Sequence, residues 1–148
     1  MKLKELKAGI IEIMKTKYPS TEYKYYSKMV IEGYDRPSFF LRLAQISNNR
    51  ETINYRSKVY VLYITYLQTK RDEVDQLNKI DEIENLFGNY IKIGNRAVDV
   101  TGFDYDFLGS NHNILEITIN IEWMDCTSNE EINQIMESAE INTELTEG

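Results

Sequence analysis

The chain has 148 residues, a single cysteine and a formal net charge of −7, with an isoelectric point near 4.8. That length suits one domain with an ordinary core. The lone Cys126 excludes an intramolecular disulfide, and the acidity argues against broad, phosphate-led nucleic-acid binding.

Residues 3–18 read as a helix, because Leu3, Leu6, Ile10, Ile13, Met14 and Tyr18 recur at three- and four-residue steps before Pro19 stops it. Glu5, Lys7, Glu12 and Lys15 interrupt its apolar residues, so this segment has no h-region of a signal peptide. No run approaches the roughly 18 apolar residues that a membrane span needs, and the chain reads as soluble and non-secreted. Residues 22–32, EYKYYSKMVIE, alternate as a strand, GYDRP at 33–37 is turn chemistry, and SFFLRLAQI at 38–46 is a second strand. The polar SNNRET, residues 47–52, reads as a loop.

The third strand, YRSKVYVLYITYLQT at 55–69, is apolar on both sides. Val59, Val61, Tyr63 and Leu67 share one face; Tyr60, Leu62, Ile64 and Tyr66 share the other. A strand of a small antiparallel sheet usually keeps one face for water, so something must cover each side.

A second helix is expected over 70–87. Asp72, Glu73 and Asp75 favour its N-terminus, and Val74, Leu77, Ile80, Ile83, Leu86, Phe87 and Tyr90 form a stripe that spirals because it steps mostly by three. Its polar side, within DEVDQLNKIDEIE, reads as solvated. YIKI at 90–93 and RAVDV at 96–100 flank Gly94-Asn95 as a hairpin. The strand continues through GFDYDF, with Gly102 marking a bulge. Residues 113–124, NILEITINIEWM, alternate with one wet face. Residues 127–148 are acidic and aromatic-free, with a capping box at Ser128 and Glu131. They suggest a short helix over about 129–139 and then a loose tail.

The expected fold is α+β: a mostly antiparallel sheet of about five to six strands, two main helices on one face, and a short C-terminal helix. Residues 1–126 form one domain and 127–148 an acidic extension. The charge is uneven. Residues 1–70 carry 13 Lys+Arg and 6 Asp+Glu, whereas residues 71–148 carry 4 and 18. Either the halves cancel within one fold, or they supply complementary surfaces to two subunits.

No motif announces chemistry. His112 has no nucleophile at a recognisable spacing, Cys126 has no metal-ligand partner nearby, and the glycines are too dispersed to cradle a phosphate. Asp104 and Asp106 share a strand face and are the candidate pair for a hard cation in a small metal-dependent hydrolase; the competing reading is a solvated face. Tyrosines 18, 23, 25, 26, 60 and 66, interleaved with Lys24, Lys28 and Lys58, suit an interface or the stacking of single-stranded bases; core packing is the simpler reading.

From LKELKAGIIEIMKTKYP through EYKYYSKM, KVYVLYITYLQT and RDEVDQLNKIDEIENLF to ITINIEWMD, the order and character of the elements over residues 1–126 resemble the tail terminator (tail completion) proteins of long-tailed bacteriophages and phage-tail-like bacteriocins. The resemblance implies a non-enzymatic structural protein without cofactor or metal. It would form a ring, typically a hexamer, on the end of the tail tube, stop growth of the tube (and of a sheath where one exists), and present the surface that joins the head or caps a headless particle. Implied partners are further copies of itself, the tail tube protein, a sheath and head–tail connector proteins, with no membrane and no specific nucleic acid. The implied location is the virion or tail-like particle, assembled in the bacterial host cytoplasm. Another head–tail connector is the alternative within that setting. Surface character, not a motif, nominates Lys58, Tyr60, Leu62, Ile64 and Tyr66, with Ile132, Ile135 and Met136, for the subunit seam. It nominates Asn48, Asn49, Arg50 and Glu51 for the loop that touches the tube.

Overall fold

The computed structural model describes residues 1–27 and 37–126. The elements run α1 (Leu3–Lys17), β1 (Lys24–Tyr26), β2 (Ser38–Arg50), β3 (Tyr55–Leu67), α2 (Glu73–Phe87), β4 (Tyr90–Ile93), β5 (Arg96–Leu108) and β6 (Ile114–Cys126). They form one six-stranded sheet in the order β1-β2-β3-β6-β5-β4. Both helices lie on the same face, as their apolar residues share one core cluster with the strands. Among the described residues, no helix is long and apolar enough to cross a membrane.

α1 forms because Leu6, Ile10 and Met14 fall on one buried stripe, with Glu5 in its first turn and Lys15 and Lys17 in its last, each matching the helix dipole. Gly9 lets this helix approach β4 closely, since a Cβ there would stand 2.6 Å from Ile93 Cδ1. α2 begins at Glu73, later than expected, because the Asp72 carboxylate caps it by accepting from the Val74 and Asp75 N–H groups. The β4–β5 turn is the expected Gly94-Asn95, with Gly94 at φ 62°, the left-handed region that the first position of such a turn requires. The expected bulge lies between Val100 and Gly102.

Two expectations need correction. The sheet is mixed rather than mostly antiparallel, because β1 pairs with β2 in parallel, Lys24 with Ser38 and Tyr26 with Phe40. A parallel pair requires the chain to return to the same end of the sheet, which a tight hairpin at 33–37 cannot do. Most of that connection, residues 28–36, lies outside the described residues, as does the short helix expected within 127–148. The second correction concerns 47–50. These residues belong to β2 and pair with Val59 to Arg56, beyond a bulge between Gln45 and Ser47. The bulge leaves Ile46 exposed and shifts the parity of Ser47 to Arg50.

β3 and β6 form the centre of the core. Leu62 faces Ile119 and Ile64 faces Ile117 across the ladder, and all four are inaccessible to water. Truncating such a residue leaves a cavity. Leu62→Ala is expected to lower unfolding free energy by about 2–5 kcal/mol in urea titrations, whereas Val59→Ala, on the other face and half-exposed, should cost less than about 1 kcal/mol.

Candidate functional site

Four of the residues nominated for a subunit seam, Tyr60, Leu62, Ile64 and Tyr66, lie in the chain's own interior. Tyr60 and Tyr66 keep only 5% and 4% of their surface, Leu62 and Ile64 none, and all four pack in the cluster that contains Leu6, Ile10, Ile83 and Phe87 of the helices. The expectation that a neighbouring copy dries them is therefore corrected: α1 and α2 do so. Tyr60 stacks on Trp123 at 5.2 Å and donates to Gln45 Oε1; Tyr66 donates to Asp75 Oδ2 at 2.6 Å. Lys58 is engaged too, 2.8 Å from Asp125. Ile132, Ile135 and Met136 lie outside the described residues.

The opposite face of β3 is also largely covered. Val61, Thr65 and Leu67 are buried, Arg42 lies 4.2 Å over the Tyr63 ring, and Tyr26 stacks on Phe40 of the adjoining strand. Tyr18, Tyr23, Tyr25 and Tyr66 surround Phe39.

Two ionic centres, each built around a buried charge, hold this arrangement together. At the first, Lys79 lies 5.1–5.4 Å over the rings of Tyr18, Tyr23 and Tyr66 and 3.0 Å from Asp75. Burial alone would lower the Lys79 pKa, but Asp75 and Tyr23 hold it above its ordinary value. Burial likewise pushes Asp75 up, and hydrogen bonds from Tyr66, Gln68 and Lys79 bring it below its ordinary value. The side of α2 read as solvated thus contains buried Lys79 and Gln76. At the second centre, buried Asp125 binds the Met1 amine at 2.9 Å, Lys58 at 2.8 Å and Arg96 at 3.0 Å. Burial would raise its carboxyl pKa, yet Lys58 and the Met1 amine hold it below its ordinary value.

The surface differs from expectation on α2. Val74 (67% exposed) and Leu77 (45%) were expected in the buried stripe and are not. Leu77 and Ile80 border a groove of about 440 Å³ against Phe103 and Tyr105 of β5. Its rim carries Asp81, Glu84 and Asp104. On the helix-free face, Asp99 lies opposite Glu122 and Asp106 opposite Glu116, placements that cost stability in an isolated chain.

Asp104 and Asp106 share a face, as alternation requires, and each carboxylate accepts a hydrogen bond from the next residue's backbone N–H, at 3.0 and 2.8 Å. Among the described residues, no three metal-ligating side chains come together. His112 adopts φ 50° in the exposed β5–β6 turn. Cys126 is exposed and free.

The tube-loop candidates sit at the far end of the β2–β3 hairpin. Asn48, Asn49 and Arg50 close β2, and Asn48 Oδ1 accepts from Arg56 Nε at 3.1 Å. Glu51 begins the turn, its N–H bonded to the Tyr55 carbonyl. Ile46, Tyr55 and Met124 add exposed apolar surface to this end.

A model of the family described as "Phage tail terminator protein" matches residues 5–133. No curated protein matches the chain. One solved chain, known only by a sequence label, is similar at 15% identity over 86% of this chain and 97% of its own, with a TM-score of 0.48, a likeness too distant to indicate function.

The Asp125 centre should appear in acid denaturation. A carboxyl with a depressed folded pKa contributes stability above its unfolded value of about 3.9, lost as pH falls through the folded value. Asp125→Asn should therefore cost about 1–3 kcal/mol at pH 7 and little near pH 2, measured by urea unfolding at both.

Proposed function

The chain belongs to the phage tail terminator family, and from that premise we propose that copies close into a ring on the last ring of the tail tube, arrest its polymerisation, and present the surface to which a head, or the cap of a headless particle, is joined. The observation that carries this reading is the extent of the family match, which takes in every described strand, α2, and α1 except its first residues. The family is one of structural tail proteins, so the task is recognition of protein surfaces rather than turnover of a substrate.

The physical requirements of a ring suit the surfaces found. A closed ring repeats one heterologous contact, so each subunit needs two different complementary patches instead of one self-complementary patch. One end of this chain offers an apolar groove with a carboxylate rim. The other offers Arg50 and Arg56 beside Ile46 and Tyr55. The tube protein, a sheath where one exists, and head–tail connector proteins are the proposed partners above and below the ring. Assembly would take place in the cytoplasm of the bacterial host.

Addition of the purified chain to polymerising tail tube protein, at a concentration equal to that of tube ends, should shorten the tubes and leave extra density at one end in negative-stain images. Tubes of unchanged length with bare ends would overturn the proposal.

A further inference from the structure

We propose that the tip of the β2–β3 hairpin in one copy seats in the α2–β5 groove of the next copy. The inference rests on the ring reading and identifies the contact that would build it.

Three observations lead to this pairing. First, both surfaces combine exposed apolar area with charge of opposite sign. The groove has Leu77, Ile80, Phe103 and Tyr105 as its apolar lining, with Tyr105 still 48% exposed. Its rim is acidic. The tip presents Ile46 and Tyr55 together with two arginines, against the single carboxylate of Glu51. Apolar area brought out of water supplies affinity, while opposite charge steers approach and rejects wrong registers.

Second, the two surfaces cannot meet within one molecule. Tyr105 pairs with Ile117, which pairs with Ile64, nine residues along β3 from Tyr55. At strand rise that separation is roughly 30 Å. The strands between them are rigidly laddered, so each copy carries one donor surface and one acceptor surface, the requirement for head-to-tail closure.

Third, the groove exists because α2 presents apolar residues that its own sheet does not use. Val74 and Leu77 continue the stripe of Ile80 and Ile83 but remain in solvent. The tip had the tail tube as its expected partner; the match of character with the groove instead assigns it to a second copy of this chain.

The test uses the full chain and charge reversal at exposed positions, with the melting temperature checked to confirm folding. Arg50→Glu with Arg56→Glu reverses the tip; Asp81→Lys with Glu84→Lys reverses the groove rim. Native mass is measured over a range of concentrations, with and without purified tail tubes. Each reversal alone should raise the concentration for half-assembly by about tenfold or more, and combining both in one chain should restore it. Single reversals that assemble like the parent, or a combined chain that stays dissociated, would overturn the pairing while leaving the ring intact as a reading. Loss of tube-end capture by the tip reversal, without change in the assembly's mass, would also overturn it and assign the tip to the tube. A parent chain that remains monomeric even on tubes would overturn both proposals.

Discussion

Two fifteen-residue helices dry one face of a six-stranded sheet, and the rest of the molecule depends on how far that cover reaches. Over the middle of β3 and β6 and the start of β2 the seal is tight: Phe39, Leu41, Leu62, Ile64, Leu115, Ile117 and Ile119 have essentially no contact with water. Over β5 it is partial. Phe103 and Phe107 are half-buried and Tyr105 is open, since α2 leaves its first apolar turn in solvent. The hydrophobic effect that sets the helices on the sheet is nondirectional. The Lys79–Asp75 pair, enclosed by tyrosines from α1's end, the β1 approach and β3, gives that packing one position. A buried cation that must meet both its carboxylate and three rings tolerates little sliding of α2.

Charge is distributed on the same logic. The carboxylates of buried Asp125 and of partly buried Asp75, paired with buried Lys79, are matched with cations and hydrogen-bond donors. Those on the outer side of β5 and β6 face one another. Buried groups are paired because an unpaired charge in a low-dielectric interior is costly. Water and salt screen the outer ones, so they can be retained for a partner at a modest cost.

Much of this was legible in the sequence. Alternation along 113–124, the Gly94-Asn95 hairpin and the apolar spacing of α1 each dictate a local structure, and each structure formed. Parity in β3 also separated its two faces correctly. What parity cannot say is which element covers which face, and the subunit seam nominated on Tyr60, Leu62, Ile64 and Tyr66 was misplaced for that reason. The Ile46 bulge was missed because one inserted residue changes register without a distinctive residue type to announce it. Lys79 was missed because a long aliphatic stem lets a charged residue belong to a core while its composition reads as surface. Asp125 had a signal: extending the dry-face series 115, 117, 119, 121 and 123 by one step reaches it, and a carboxylate there must find cations. The groove was missed because a three-residue step was read as one continuous buried arc, although a helix facing a sheet can bury only part of a spiral.

The aspartates of β5 have a wider meaning. β4 pairs only as far as Asp99, and beyond it the amides of Tyr105 and Phe107 are occupied by the chain's own Asp104 and Asp106 carboxylates. Those donors are withheld from any strand that might add itself laterally, and the charges repel one that tries. Copies of this chain gathered at high local density are thereby kept from seeding a fibre of their own.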